Sequence, residues 1–237
     1  MITMVGTGHV FRISEQVSFI VKYTWPDAVL VELDERRCAA LTSVQGDGRL
    51  SDESPKLYRE VAEYQDKMSK KNEVVPGGDM LAAISAGKTV GADIVCIDRD
   101  AEQTMREVEE GMSSCERMRY SMSSAVDRLF RREGTKLTHR QFAANEEEYI
   151  RKMRKRFPTL VEKLIDERNA YMAERIREAS GKYNNMVIMV GDAHVKGICK
   201  LLEDTEIQSI RLADMMDQER MDEIKSRIWN RKAEVPE

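Results

Sequence analysis

The chain has 237 residues, 41% of them hydrophobic and 34% charged, enough for one sizeable α/β domain beneath a heavily ionic surface. Its 42 acids against 38 bases leave a net charge of −4, which gives no overall reason to expect nucleic acid or an anionic membrane as a partner. The four cysteines are scattered, with no C-x-x-C and no histidine at finger spacing, and no run of about 18 apolar residues is present to span a bilayer.

A reduced setting follows from the cysteine usage, in the cytoplasm or on the cytoplasmic face of a membrane. The chain opens directly on an apolar strand, which argues against a signal peptide. "ITMV" at 2–5 reads as a buried strand ending at Gly6. A helix follows, with Ser14 at its start and Ile13, Val17, Ile20 and Val21 at helical spacing, and Trp25-Pro26-Asp27 ends it. "AVLVEL" at 28–33 is a second buried strand, making a β-α-β opening with parallel strands. "QGDGRLSDESP" at 45–55 is loop by composition, and helices are expected over 55–69 and after "VVPGGDM". "DIVCID" at 93–98 is the third strand.

From Asp100 to Ser180 no strand signal occurs, so a large helical insertion separates the third and fourth strands. Met105, Val108, Met112, Cys115, Met122, Val126 and Leu129 recur at spacings of three, four or seven, a packing seam that serves the core or a partner helix. A homodimer through that seam is compatible with any function. The basic run "RKMRKRFP" at 151–158 alternates with acids nearby and reads as a solvated helix face. "NMVIMV" at 185–190 returns to strand, "HVKGICKLLE" is helix, "IQSIRL" a last strand, and "DMMDQERMDEIKSRIW" a closing amphipathic helix. The whole is a single α/β domain over 1–237, a mainly parallel sheet with its helical insertion at about 100–180.

Two heptapeptides nearly repeat: "MVGTGHV" at 4–10 and "MVGDAHV" at 189–195 hold two of the three histidines, His9 and His194. In an open parallel sheet, ligands bind outside the carboxyl ends of the strands, and the unusual residues collect there. The strands end at Gly6-Thr7-Gly8-His9, Glu32-Leu33-Asp34, Asp98-Arg99-Asp100 and Gly191-Asp192-Ala193-His194. Each glycine permits a sharp turn or a close backbone approach. Two imidazoles on neighbouring strands, with Glu32 as a carboxylate, could share one divalent metal and leave positions open for water.

Plainer readings stand beside this one. A strand-end histidine often serves as a hydrogen-bonded structural residue, Glu32 could pair with a basic side chain, and Asp98-Arg99 could be a structural ion pair. His139, in "KLTHRQF", has the context of a surface residue. Arg168 lies within an apolar stripe of Val161, Leu164, Ile165, Met172 and Ile176. Its guanidinium either finds a strand-end carboxylate, because unpaired charge burial is costly, or snorkels to water along its stem.

The motifs together resemble the TraB/PrgY family, within the broader Tiki-related group. That family has two G-x-x-H motifs, a glutamate closing the second strand, an aspartate-arginine pair followed by a threonine, and a late E-R-N. Here these are "GTGH" and "GDAH", "VELD", "DRDAEQT" and "DERNAYMA". "PGGDMLAAISA" is a further match, with Asp79 where a glutamate is usual, and the likeness runs from about Gly6 to Ile198. The resemblance implies a metal-dependent protease with manganese or cobalt as the favoured ion and His9, His194 and Glu32 at the metal; zinc is a further candidate for the same donors. It also implies a peptide substrate and a part in pheromone shutdown. Longer microbial members carry membrane helices after the soluble domain, so a membrane tether outside this chain is a further expectation.

The leading expectation is therefore metal-assisted hydrolysis of a peptide or amide bond. Arg99 or Arg168 would stabilise the developing oxyanion or orient a substrate carboxylate, and Asp98 would hold one of those arginines. The rival is a non-catalytic protein that binds a peptide, haem or another small ligand at the same rim. A second rival is a structural protein whose Met-rich helices form a dimer seam.

Overall fold

The computed structural model describes residues 1–8, 11–42, 54–122 and 139–233. Five strands form one sheet: β1 (Ile2–Thr7), β2 (Ala28–Val31), β3 (Asp93–Cys96), β4 (Met186–Gly191) and β5 (Ile207–Ile210), in the order β3-β2-β4-β1-β5. Every pairing is parallel. β1, β2 and β4 each have a neighbour on both sides and are buried almost throughout, whereas the edge strands β3 and β5 are partly exposed. That pattern explains why the central strands read as unbroken apolar runs: helices cover both faces of a parallel sheet.

Side chains alternate between the two faces. Val5, Val29, Val31, Val187 and Met189 point into one core layer with Val17, Ile20 and Ile84. Met4, Leu30, Ile188 and Val190 point into the other with Met172, Ile176 and Ile198. The first layer is covered by α1 (Ser14–Thr24), α4 (Gly78–Val90) and the closing helix. The second is covered by the helices on either side of β4.

Among the described residues the remaining helices, in chain order, are α2 (Glu35–Thr42), α3 (Lys56–Asn72), α5 (Ala101–Gly111), α6 (Ser114–Met122), α7 (His139–Arg156), α8 (Pro158–Val161), α9 (Glu167–Ser180), α10 (Asp192–Leu201), α11 (Leu212–Met215) and α12 (Gln218–Ala233). A π-helical turn, Glu162–Asp166, joins α8 to α9. Between β3 and β4 the described residues are helical or connecting. No helix among the described residues is long and apolar enough to cross a membrane.

Several boundaries differ from expectation for identifiable reasons. The expected seam breaks at Ser113, where the Ser113 hydroxyl accepts from Glu116 N–H at 3.2 Å and Glu116 Oε2 accepts from Ser113 N–H at 3.1 Å. This capping box starts a new helix and resets the phase. Val108 and Met112 are buried against Leu57 of α3, but Cys115 is exposed. The Met122 side chain, Val126 and Leu129 lie outside the described residues. The closing helix is two helices, because Asp217 accepts from Arg220 N–H at 3.1 Å and caps the second. β5 stops at Ile210, where Arg211 turns toward the strand-end rim instead of continuing the ladder.

Candidate functional site

The C-terminal ends of β1, β2, β3 and β4 lie side by side, with Thr7 paired to Gly191. Beyond β2, Glu32 still donates its N–H to Met189 O at 2.9 Å, which fixes its backbone against β4. Beyond β3, Asp98 N–H reaches Leu33 O at 3.2 Å. Glu32 and Asp98 are therefore delivered by sheet hydrogen bonds and not by free loops. His9 lies outside the described residues.

Arg168, from the first turn of α9, occupies the centre. Its Nε donates to Asp98 Oδ1 at 2.9 Å and its Nη2 to Asp98 Oδ2 at 2.8 Å, a bidentate clamp. Nη2 also donates to Glu32 Oε1 at 2.5 Å, and Nη1 to Leu164 O at 3.2 Å. The side chains of Arg168, Glu32 and Asp98 are only 16%, 6% and 1% exposed, so the snorkelling alternative does not describe this arginine. Burial works to lower the guanidinium pKa, yet the two adjacent carboxylates hold it above its ordinary value.

The π turn is what aims this residue. It inserts an extra residue into the helical phase just before α9, so Arg168 and Asn169 both face the rim while Leu164 and Ile165 are only half-buried.

His194, near the start of α10, is 4% exposed. Its Nε2 lies 3.2 Å from Arg168 Nη1 and 3.5 Å from Glu32 Oε1. Its Nδ1 lies 2.7 Å from Asn169 Oδ1. Guanidinium nitrogens only donate, so Nε2 is the accepting nitrogen and Nδ1 carries the proton that Asn169 receives. The imidazole is thus the neutral Nδ1–H form, with its lone pair pointed at the cluster.

Asp98 is saturated. Oδ1 takes Arg99 N–H at 2.8 Å and Arg168 Nε; Oδ2 takes Arg37 Nη2 at 2.6 Å and Arg168 Nη2. With each oxygen accepting twice, its role is to orient arginines. Arg99 itself turns outward, donating to Glu167 at 2.7 Å and Glu107 at 2.9 Å. Its guanidinium is not in the central cluster.

Arg37 was not singled out by sequence, yet it bridges Asp98 to Asp34. Asp34 accepts from Arg37 N–H at 2.7 Å, Arg37 Nε at 2.8 Å and Ala101 N–H at 3.2 Å. Burial pushes the Asp34 carboxyl up, but these donors outweigh it and hold the group below its ordinary value. The legible signal was Asp34 itself, which caps α2 and so fixes the residue three positions on.

The glycines of the two repeats make room for carboxylates. A Cβ on Gly6 would stand 2.2 Å from Asp192 Oδ1, and one on Gly191 3.3 Å from Glu32 Oε2. Asp192 is anchored in turn by Arg211 Nε and Leu212 N–H, both at 2.9 Å. Asp79 is buried, 3% exposed, in the first turn of α4, where the helix dipole favours an acid. His139 opens α7, and its side chain lies outside the described residues.

Two of the expected metal donors converge. Ligands about 2.1 Å from one tetrahedral ion stand roughly 3.4 Å apart, and the Glu32 Oε1–His194 Nε2 separation is 3.5 Å. A neutral imidazole lone pair beside a carboxylate is the right donor chemistry. Among the described residues no group of three His, Cys, Asp or Glu side chains is assembled to hold an ion. The third expected donor, His9, falls outside them.

The family model described as TraB/PrgY/gumN matches residues 1–212. An uncharacterized protein of Methanocaldococcus jannaschii is 29% identical over 218 residues, covering 86% of this chain and 54% of its own length. The chain thus spans about half the length of that relative. No solved structure matches.

Proposed function

The chain belongs to the TraB/PrgY/gumN family, and from that membership and the rim geometry we propose that it is a metal-dependent hydrolase acting on a peptide or amide bond. The observation that carries the reading is the convergence of the Glu32 carboxylate, the His194 Nε2 lone pair and the Arg168 guanidinium at the strand ends. Glu32, His194 and His9 would hold a divalent ion, manganese, cobalt or zinc. Such an ion polarises a scissile carbonyl and lowers the pKa of a bound water.

The protein's own groups supply the rest. Asn169 fixes the His194 tautomer, as a partner on the other ring nitrogen does in metal-ligating histidines. Asp98 and Arg37 preorganise Arg168, so that a guanidinium already points at the place where carbonyl oxygen charge develops. Glu32 Oε1 faces the same point, where it either ligates the ion or takes a proton from water. A peptide is the proposed substrate, and inactivation of a peptide signal the proposed role; both rest on the family and on its likeness to Tiki-type proteases.

Elemental analysis and calorimetric titration of manganese, cobalt and zinc into chelator-treated protein test this. Wild type should bind one ion that His194→Ala and Glu32→Gln lose, and should cleave members of a peptide library only when loaded. An ion retained at full affinity by both variants, or no ion bound at all, would overturn the assignment.

A further inference from the structure

We infer that Arg168 is a resident counter-cation of the site: its guanidinium occupies the donor atoms of Glu32 and His194, so a divalent ion must compete with it for them. The inference rests on the metal reading above and concerns what sets the affinity.

The geometry is specific. Nη2 sits on Glu32 Oε1 at 2.5 Å and Nη1 on His194 Nε2 at 3.2 Å. These are the two atoms whose 3.5 Å separation suits one ion. A guanidinium has five donors and no acceptor, so it can only fill a cation's place there and cannot help to ligate one.

Nor can it simply leave. Nε and Nη2 are clamped on Asp98, whose side chain is 1% exposed, and α9 carries the arginine on a helix packed against α10. Arg37 Nη2 donates to the same Asp98 Oδ2 at 2.6 Å, so the clamp does not swing either. An incoming ion therefore takes Glu32 Oε1 and His194 Nε2 while the guanidinium stays on Asp98. Nη1 and the freed lobe of Nη2 are then left next to the ion and without those acceptors. Like charges at such short range repel strongly in a buried setting, which weakens ion binding. The same event unmasks two N–H donors beside the ion, available to a substrate oxygen. Loading and donor release become one step, and an unloaded site keeps its donors satisfied internally.

The test uses Mn²⁺ alone as the probe, titrated calorimetrically into the chelator-treated chain as wild type, Arg168→Met and Arg168→Lys. Arg168→Met removes the positive charge but keeps an apolar stem, and should bind Mn²⁺ at least tenfold more tightly. Arg168→Lys keeps the charge and should stay within about threefold of wild type. Equal or weaker binding by Arg168→Met, with its fold intact by circular dichroism, overturns the inference. Should Arg168→Met fail to fold with Asp98 left short of donors, Arg168→Met combined with Asp98→Asn removes that buried charge and gives the same readout. If wild type binds Mn²⁺ and His194→Ala loses it while the methionine variants match wild type, the competition fails and the metal site stands. If wild type and every variant bind none, both fail together.

Discussion

Gly197→Ala is a substitution whose sign the structure decides against the general rule. Gly197 lies inside α10, where replacing glycine by alanine ordinarily stabilises a helix by about 0.5–1 kcal/mol. Here a Cβ would stand 2.2 Å from Asn169 Nδ2 and 3.1 Å from its Cγ. Restoring van der Waals contact requires the amide to move by more than about 1 Å. Its Oδ1 lies 2.7 Å from His194 Nδ1, and a shift of that size stretches the contact beyond hydrogen-bonding range. Asn169 and His194 are both buried, so the cost is that of stranding a buried polar pair, about 1–3 kcal/mol, with a similar scale for overpacking. The expected net effect is destabilisation by about 1–3 kcal/mol. Urea unfolding reads this directly, and a thermal melt should fall by roughly 2–4 °C per kcal/mol for a chain of this size. The effect should be smaller when Gly197→Ala is made on an Asn169→Ala background, because the amide is what it strikes; the double-mutant cycle isolates that coupling. Any stabilisation by the single substitution refutes the reasoning.

Three further outcomes follow from separate parts of the molecule. Ser113→Ala removes the hydroxyl that accepts from Glu116 N–H and should cost about 1 kcal/mol in urea unfolding; no loss would mean that α6 does not depend on this cap. Asp34 has a folded pKa below its ordinary value, so it stabilises above the unfolded value of about 3.9 and that contribution is lost as pH falls through the folded pKa. The stability gap between wild type and Asp34→Asn should therefore be wide at pH 7 and shrink below about pH 4; a constant gap contradicts it. The Cys96 thiol is pushed up to about 12 by burial and by the neighbouring Cys38 thiol, whereas Cys115 is exposed. Iodoacetamide at pH 8 should label Cys115 well before Cys96, and equal rates by peptide mass spectrometry would refute the burial argument.

The strands were legible because central parallel strands are apolar without interruption, and the residues that break each run are the ones that reach the rim. Glu32 and His194 were found this way. Arg168 was found from an apolar stripe, although the stripe itself was drawn through a π turn that shifts its phase. Asn169 stands within "DERNAYMA", yet nothing in a sequence says which neighbour an amide meets across 25 positions. Arg37 was missed for a related reason: its value lies in bridging Asp34 to Asp98, residues brought together only by the pairing of β2 with β3. Three-and-four spacing continues through Cys115 and so places it in the seam by sequence alone, whereas in the fold it is exposed. The Ser113–Glu116 box that ends that seam is itself a four-residue sequence signature, and it was there to be read.

The near-repeat of the two heptapeptides acquires a physical reason from the neighbours of its glycines. β1 and β4 are adjacent, with Gly6 level with Val190 and Thr7 level with Gly191, so the two turns are offset by one residue and face different surroundings. The space beside Gly6 is filled by Asp192, which belongs to the other repeat, and the space beside Gly191 by Glu32. Each glycine thus makes room for a carboxylate that its own motif does not contain. Asp192 uses its place to tie Arg211 and the start of α11 to the rim. Glu32 uses its place to accept Gly191 N–H at 2.5 Å with one oxygen and face Arg168 and His194 with the other. The two glycines therefore do different work: one anchors the end of the fold, and the other sets the height of the carboxylate on which the proposed chemistry depends.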